Sequence, residues 1–421
     1  MYPNGLNTNF EFRILCALPI IFTIGRGERR YTRCMCNSNN AVSDVGATVH
    51  APTDRAPKSS EDFATRLIDI LNGGTLSLMI SIGHKTQLFD TMSKLYEQQQ
   101  FTTSAEIARA TNLNERYVRE WLGAMVAGRI VDYDESTERY SFPQEHAALL
   151  TRAAGIDNFA MFFQYISLMG IVEDKIVECF YKGGGVPYSQ YPRFQELQAE
   201  ETSRIFDARL IDQIIPLVEG LRGRLERGID ALDVGCGRGH AVNVMAEAFP
   251  KSTFVGYDIS TEGIKAAKEE ASKMELSNVK FEVEDLSLMN ESEKYDLITA
   301  FDAIHDQAQP TKVLKAIYNA LRTNGSDQIN SLFLMQDIAA SSYVNENKSN
   351  PLAPALYTFS TMHCMTVSLA SKGEGLGAVW GRQKAEEKLR EAGFSGEIGV
   401  KEIEGDILNY YYIAEKEKIR Q

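Results

Sequence analysis

The sequence has no Cys-x-x-Cys pair, no long unbroken apolar run and no excess of positive charge. Each absence closes off a class of protein. Its six cysteines, at positions 16, 34, 36, 179, 236 and 364, are scattered, and no histidine-rich segment accompanies them. That usage argues against a disulfide framework or a structural zinc site, predicts no metal, and fits a reduced, cytoplasmic compartment. The apolar stretch from Ile14 to Ile24 is interrupted by Pro19 and is too short to span a bilayer, so no membrane association is expected. A net charge of −13 is poorly matched to nucleic acid or to an anionic lipid surface.

The charge is also uneven. The first 60 residues carry seven Lys/Arg against four Asp/Glu, a balance of +3, while the remainder, with 37 against 53, stands at −16. Arg26, Arg29, Arg30 and Arg33 follow the apolar stretch, the wrong order for a secretory signal. A disordered or targeting extension over residues 1–60 is expected, with a mitochondrial presequence as the alternative that Glu11 and Glu28 weigh against. A chain of 421 residues, 44% apolar and 24% charged, is long enough for two or three soluble domains.

Between residues 61 and 98, apolar residues recur at helical spacing, and Gly73-Gly74 suggests two helices broken there. Thr103 to Ala108 reads as a capped short helix, Glu115 to Gly128 as a second, and 130–142 as a hairpin. Together they predict a helical winged-helix domain over 61–143. Arg116, Arg119 and Arg129 are interleaved with Glu115 and Glu120, and the wing holds Asp132, Asp134, Glu135 and Glu138. That mixture suits a protein-interaction module better than DNA. Residues 144–227 read as a helical linker and lid, with a glycine-rich interruption at 182–188 followed by Tyr188, Tyr191 and Phe194, and a helix from about Gln195 to Leu221.

From 228 to 421, strands and helices alternate, which implies an α/β domain with a largely parallel sheet. Strands are expected at 230–234, 253–257, 279–284, 295–301, 331–337, 397–403 and 409–415. The first runs into Asp233-Val234-Gly235-Cys236-Gly237-Arg238-Gly239, and the second closes on Asp258. A strand, a three-glycine turn, a helix and a second strand ending in an acid form a nucleotide-binding half-fold for an adenosine-type cofactor. In the dinucleotide fingerprint the third glycine lies five residues after the first, leaving a helix N-terminus for pyrophosphate. Here it lies four residues after.

This stretch resembles the first motif of the class I S-adenosylmethionine-dependent methyltransferases, and the strand pattern matches their Rossmann-like seven-stranded sheet with an antiparallel last strand. The resemblance covers about 190 residues. It implies S-adenosyl-L-methionine as cofactor, held by Asp233, Gly235, Cys236, Gly237 and Gly239. Asp258 and Ile259 would serve the ribose, Asp285 and Leu286 the adenine, and Phe301 and Asp302 the methionine end. Ile304-His305-Asp306-Gln307 is similar to the His-Asp segment of plant-type O-methyltransferases, whose histidine takes the proton of the acceptor hydroxyl, although Gln307 stands where they usually have tryptophan. His305 is thus the candidate base, an imidazole being suited to proton removal near neutrality. In that family the insert after the fifth strand packs over the acceptor, which implicates Met362, His363 and Met365, with His363 an alternative base.

The expectation is therefore a methyltransferase acting by in-line displacement on an oxygen or nitrogen nucleophile of a small-molecule acceptor. It would work as a homodimer, without nucleic acid. Two other readings stand beside it: a ligand-sensing winged-helix transcriptional regulator with an inactive methyltransferase domain, and an NAD-dependent oxidoreductase.

Overall fold

The computed structural model describes residues 59–323 and 329–417, so the readings made for residues 1–58 lie outside it. Helix α1 (Ser60–Lys85) opens the described chain, its N-terminus capped by Ser59. It runs straight through Gly73-Gly74, where a break was expected. A glycine pair costs a helix about 1 kcal/mol per residue relative to alanine but does not force a turn. The Thr75 and Ser77 hydroxyls bond back to the carbonyls of Leu71 (3.0 Å) and Gly73 (2.7 Å). The chain turns instead at Gln87, whose φ is 58°.

Helices α2 (Leu88–Gln98), α3 (Ser104–Thr111) and α4 (Glu115–Ala127) follow, then the antiparallel wing of β1 (Asp132–Asp134) and β2 (Arg139–Ser141). A capping box between Thr103 and Glu106 starts α3, as the sequence suggests. Phe89, Trp121, Leu122, Met125 and Phe142 fill the core of this part. Next come α5 (Gln144–Leu150), α6 (Phe163–Gly170), α7 (Glu173–Lys182) and α8 (Phe194–Arg209). The single helix expected from 195 to 221 is shorter than that. After α8 the chain passes through a π-turn and a 3₁₀ turn at Pro216, and Gly220 (φ 76°) precedes α9 (Leu221–Arg227). Pro216 has no N–H to continue the ladder.

The sheet of the second half alternates with helices. Its members are β3 (Asp230–Val234), α10 (His240–Ala248), β4 (Thr253–Asp258), α11 (Thr261–Lys273), β5 (Val279–Val283), β6 (Leu297–Phe301), α12 (Pro310–Ala320) and β7 (Leu332–Ile338). An insert carries α13 (Ala353–Phe359) and α14 (Met365–Ala370), before α15 (Gly381–Ala392), β8 (Ile398–Lys401) and β9 (Asn409–Glu415). Strand order is β5-β4-β3-β6-β7-β9-β8, and β9 runs antiparallel to both neighbours. All seven expected strands are present. Alternate residues of β7 feed opposite cores, Leu332 and Leu334 on one face and Phe333 and Met335 on the other, so the strand is apolar throughout until its end.

Strand order reverses between β3 and β6, which opens a crevice at their carboxyl ends. Helix α8 borders it and bridges the two halves of the molecule. Its Glu200 accepts from buried His84 of α1 (2.8 Å), its Glu201 accepts from Tyr165 of α6 (2.8 Å), and its Phe206 joins the sheet core.

Candidate active site

The glycine turn sits at the carboxyl end of β3. Gly235 has φ 74°, and a Cβ there would fall 2.4 Å from that of Ala303, so no side chain is tolerated. The amides of Gly235 and Cys236 both donate to the Tyr257 carbonyl (2.8 and 3.0 Å), tying the turn to β4. Asp258 closes the arrangement: one carboxylate oxygen accepts from Gly237 N (2.8 Å), the other from Ser260 N (2.7 Å). Burial nonetheless holds its carboxyl above the usual range, outweighing those two amides. Asp233 is buried, accepts from Thr299 Oγ1 (2.6 Å), and is pushed up to about 7 by burial and by the charge of Asp258. Nothing comes within 4 Å of the place a Cβ would take on Gly237, so the space above the turn is open. Open space over a glycine backbone, with acids at the ends of β4 and β5, fits an adenosine-type ligand.

The outer cofactor candidates are less enclosed. Ile259 is 69% exposed just past β4. Asp285 is exposed, and one of its oxygens caps a short 3₁₀ turn at Ser287 N (2.9 Å), while Leu286 is buried beside it.

The other side of the crevice is built from the ends of β6 and β7. Phe301 packs on Phe206 of α8 (4.9 Å between ring centres). Asp302 adopts a left-handed φ of 52°, and its carboxylate accepts from Gln336 Nε2 (2.9 Å). Burial and the nearby Asp337 push its carboxyl up to about 8, with His305 opposing and Glu201 adding to the rise. His305 is buried, with Nδ1 2.9 Å from Asp337 Oδ1. The same oxygen accepts from Trp380 Nε1 (2.9 Å) and Ile338 N (2.8 Å), so Asp337 is locked in place and fully buried. Nε2 faces Asp306, 3.4 Å away. Burial alone would lower the imidazole pKa, but Asp337 and then Asp306 outweigh it and hold His305 well above the usual range. Ligand-type atoms of His305, Asp306 and Cys364 lie within 4.8 Å of one another. Burial and Asp306 push the Cys364 thiol up to about 12, so it is a thiol rather than a thiolate.

A roof of loop and insert covers this group. Gly185 passes so close to α14 that a Cβ would fall 1.9 Å from the Thr366 carbonyl, and Val186 N donates to Thr366 Oγ1 (2.8 Å). That anchorage places Tyr188, whose hydroxyl donates to Asp306 Oδ2 (2.8 Å). His363, in the π-turn between α13 and α14, stacks on Phe194 (3.8 Å, 14°) and meets the edges of Tyr188 and Tyr191. Burial lowers its pKa to about 4, so it is neutral. Met362 offers its carbonyl to the Tyr191 hydroxyl (2.5 Å). Met365 has its Cβ against the Gly377 turn.

The fold thus gathers His305, Asp306, Asp337, Cys364 and Tyr188, with His363 adjoining. Sequence reasoning missed Asp337, Trp380, Gln336 and Glu201. For the β7 pair a signal existed: Gln336-Asp337 is a polar step closing the apolar run Leu332 to Met335, at the carboxyl end of a buried parallel strand.

Two known families match successive parts of the chain. A family described as Rv2258c-like winged HTH domain matches residues 74–152, and a methyltransferase domain family matches residues 225–409. Malonyl-[acyl-carrier protein] O-methyltransferase of Priestia megaterium is 28% identical over 104 residues, 23% of this chain and 35% of that protein. (S)-Coclaurine N-methyltransferase of Papaver somniferum is 28% identical over 25% of this chain and 30% of its own length. The chain therefore spans about a third of these relatives. Among solved structures, human N-acetylserotonin methyltransferase in complex with SAM is 17% identical, covers 85% of this chain and 99% of its own, and superposes with a TM-score of 0.61. Mitomycin 7-O-methyltransferase MmcR is 15% identical, with 84% and 98% covered and a TM-score of 0.62. At that identity the likeness is one of fold.

Proposed function

We propose that this chain, which joins a winged-helix domain to a methyltransferase domain, transfers a methyl group from S-adenosyl-L-methionine to an oxygen or nitrogen of a small molecule. The observation that carries the reading is the buried His305-Asp337 pair at the strand-order reversal, facing a glycine turn held by Asp258. Asp258 and Asp285 would hold the ribose and adenine, with Ile259 and Leu286 beside them, and Asp233, Gly235, Cys236, Gly237, Gly239, Phe301 and Asp302 the amino-acid end. When bound, the cofactor supplies a methyl group on a sulfonium, open to in-line displacement.

The chain's own residues do the rest. Asp337 fixes the imidazole through Nδ1, which leaves Nε2 beside Asp306 and Cys364, and His305 Nε2, once neutral, takes the acceptor's proton. Tyr188, His363 and Phe194 form a roof over this group. Because Asp337 and Asp306 favour the charged imidazolium, turnover should rise with pH through a point above the ordinary histidine value. His363, with no carboxylate partner and a pKa lowered to about 4, is the weaker candidate base.

Calorimetry with S-adenosylhomocysteine and with NAD tests the cofactor, and binding of NAD alone would sink the reading. Screening metabolite extracts with labelled S-adenosylmethionine then finds the acceptor. The regulator reading has little support from the second helix of the winged domain. Arg116 pairs with Glu120 (2.5 Å) and Arg119 with Glu115 (3.3 Å) on its own surface. No shift of a random DNA pool at physiological salt is expected.

We also read the chain as a homodimer. Residues 60–75 of α1 are exposed throughout, yet they carry Phe63, Leu67, Ile68, Ile70 and Leu71. A helix of four turns that packs on nothing among the described residues is marginal in water, and a second copy would cover it. Light scattering of the wild type against Leu67→Glu/Leu71→Glu tests this, a dimer giving way to a monomer. No helix among the described residues is long and apolar enough to cross a membrane. The scattered cysteines favour the cytoplasm.

A further inference from the structure

Among the described residues, the buried polar atoms around this crevice that lack a hydrogen-bond partner are mostly acceptors. They are Gln195 Oε1, Asp306 Oδ1, Gln336 Oε1 and Asp337 Oδ2, with Asp302 Oδ1, whose carboxyl is pushed up to about 8 and so is largely protonated near neutrality, and His363 Nε2. A site that leaves acceptors open asks for donors from its ligand, since an unmet buried carboxylate oxygen is costly. The charges agree. The strongest charged neighbours of Asp302 are Asp337, His305 and Glu201, and those of Cys364 and His363 are Asp306 and His305. His305 is the cation among them, and Asp337 and Asp306 already flank it. Arg204 bears on Glu201, which lies behind Tyr165.

The protein also contains its own phenol at this place. The Tyr188 hydroxyl points onto Asp306 at 2.8 Å, while the ring leaves 42% of the residue exposed. Enclosure and the Asp306 charge hold that hydroxyl well above the ordinary tyrosine range. A phenolic acceptor set beside Asp306 would meet the same resistance to losing its proton. An amine would not. In transfer to nitrogen the carbon–sulfur bond of the donor breaks with its electron pair left on sulfur, and the nitrogen lone pair forms the new bond. The proton that frees the lone pair passes to neutral His305 Nε2 and on to solvent. Positive charge moves from sulfur to nitrogen and is never lost, so open carboxylates favour the product as well as the incoming ammonium.

We infer that the methyl acceptor is an amine, received as its ammonium by Asp306 beside His305 Nε2, and that acceptors bearing a carboxylate or phosphate at this point are excluded. The inference rests on the methyl-transfer reading.

Its test is binding, with the full chain loaded with S-adenosylhomocysteine and three probes of one skeleton: 2-phenylethylamine, 2-phenylethanol and phenylacetate. The amine is expected to bind about tenfold or more tighter than the alcohol, as for a partly buried charge pair, with phenylacetate not binding. Asp306→Asn should bring the amine down to the level of the alcohol. An alcohol or carboxylate that binds as well as the amine, an amine that does not bind at millimolar concentration, or an Asp306→Asn protein that keeps the preference would each overturn the inference. Failure of S-adenosylhomocysteine to bind at all would instead overturn the methyl-transfer reading, and the two failures are told apart in the same titration.

Discussion

The two walls of the crevice use their polar atoms in opposite ways. On the β3-β4 side, Asp258 spends both oxygens on backbone amides, Asp233 is met by Thr299, and the turn is pinned to the Tyr257 carbonyl. On the β6-β7 side, Asp302, Asp306, Gln336 and Asp337 each keep an oxygen without a hydrogen-bond partner, that of Asp306 facing His305 Nε2 at 3.4 Å, and Asp302 holds a left-handed backbone. The first wall is nearly satisfied, with Gln195 Oε1 beside Gly263 its one open acceptor among the described residues. The second leaves polar atoms unmet, and a left-handed residue, where chemistry has to happen.

The contrast can be broken from the second wall first. His305→Ala should lower turnover by about 10²- to 10⁴-fold, as for loss of a general base, with affinity for S-adenosylhomocysteine retained. Unaltered turnover would remove His305 from the chemistry. Asp337→Asn should cost about 10²-fold and carry a signature that a packing defect would not. Without the carboxylate that raises it, the His305 pKa falls, so the acid limb of kcat/KM should move to lower pH. A limb that stays in place would show that Asp337 does not act through His305.

The first wall should answer more softly and in binding rather than rate. Asp258→Ala removes the acceptor for the Gly237 and Ser260 amides and should weaken S-adenosylhomocysteine by about tenfold or more, since each lost charge-assisted bond is worth about 1.5–3 kcal/mol. Calorimetry giving equal affinity would place the ribose elsewhere. Asp285→Asn, at an exposed residue that keeps its capping oxygen, should change affinity only a few-fold, within about 1 kcal/mol. A larger loss would move Asp285 from the rim to the centre of adenine recognition.

The same contrast explains how far the sequence could be read. The first wall is local. Its glycines and Asp233 lie within seven residues, and Asp258 closes the next strand, so strand-turn-helix-strand spacing was enough to place them. The seven strands and the winged helix were legible for the same reason, each being a short-range pattern of apolar period and caps. Where tertiary context outvoted local propensity the reading failed: Gly73-Gly74 did not break α1, and Pro216 and Gly220 did break the helix after α8.

Local order along the chain therefore decided that an α/β sheet would form, where its glycine turn would stand and which acid would lie beside it, because those features depend on neighbours a few residues apart. The folded sheet alone decided what His305 is. It brought Asp337 from 32 residues away onto Nδ1, Trp380 from 43 residues beyond Asp337 to hold it, and Tyr188 from 118 residues before Asp306 to cover the other side. No spacing in the sequence encodes those distances, since they are set by strand order and by how the insert and the glycine-rich loop lie across it.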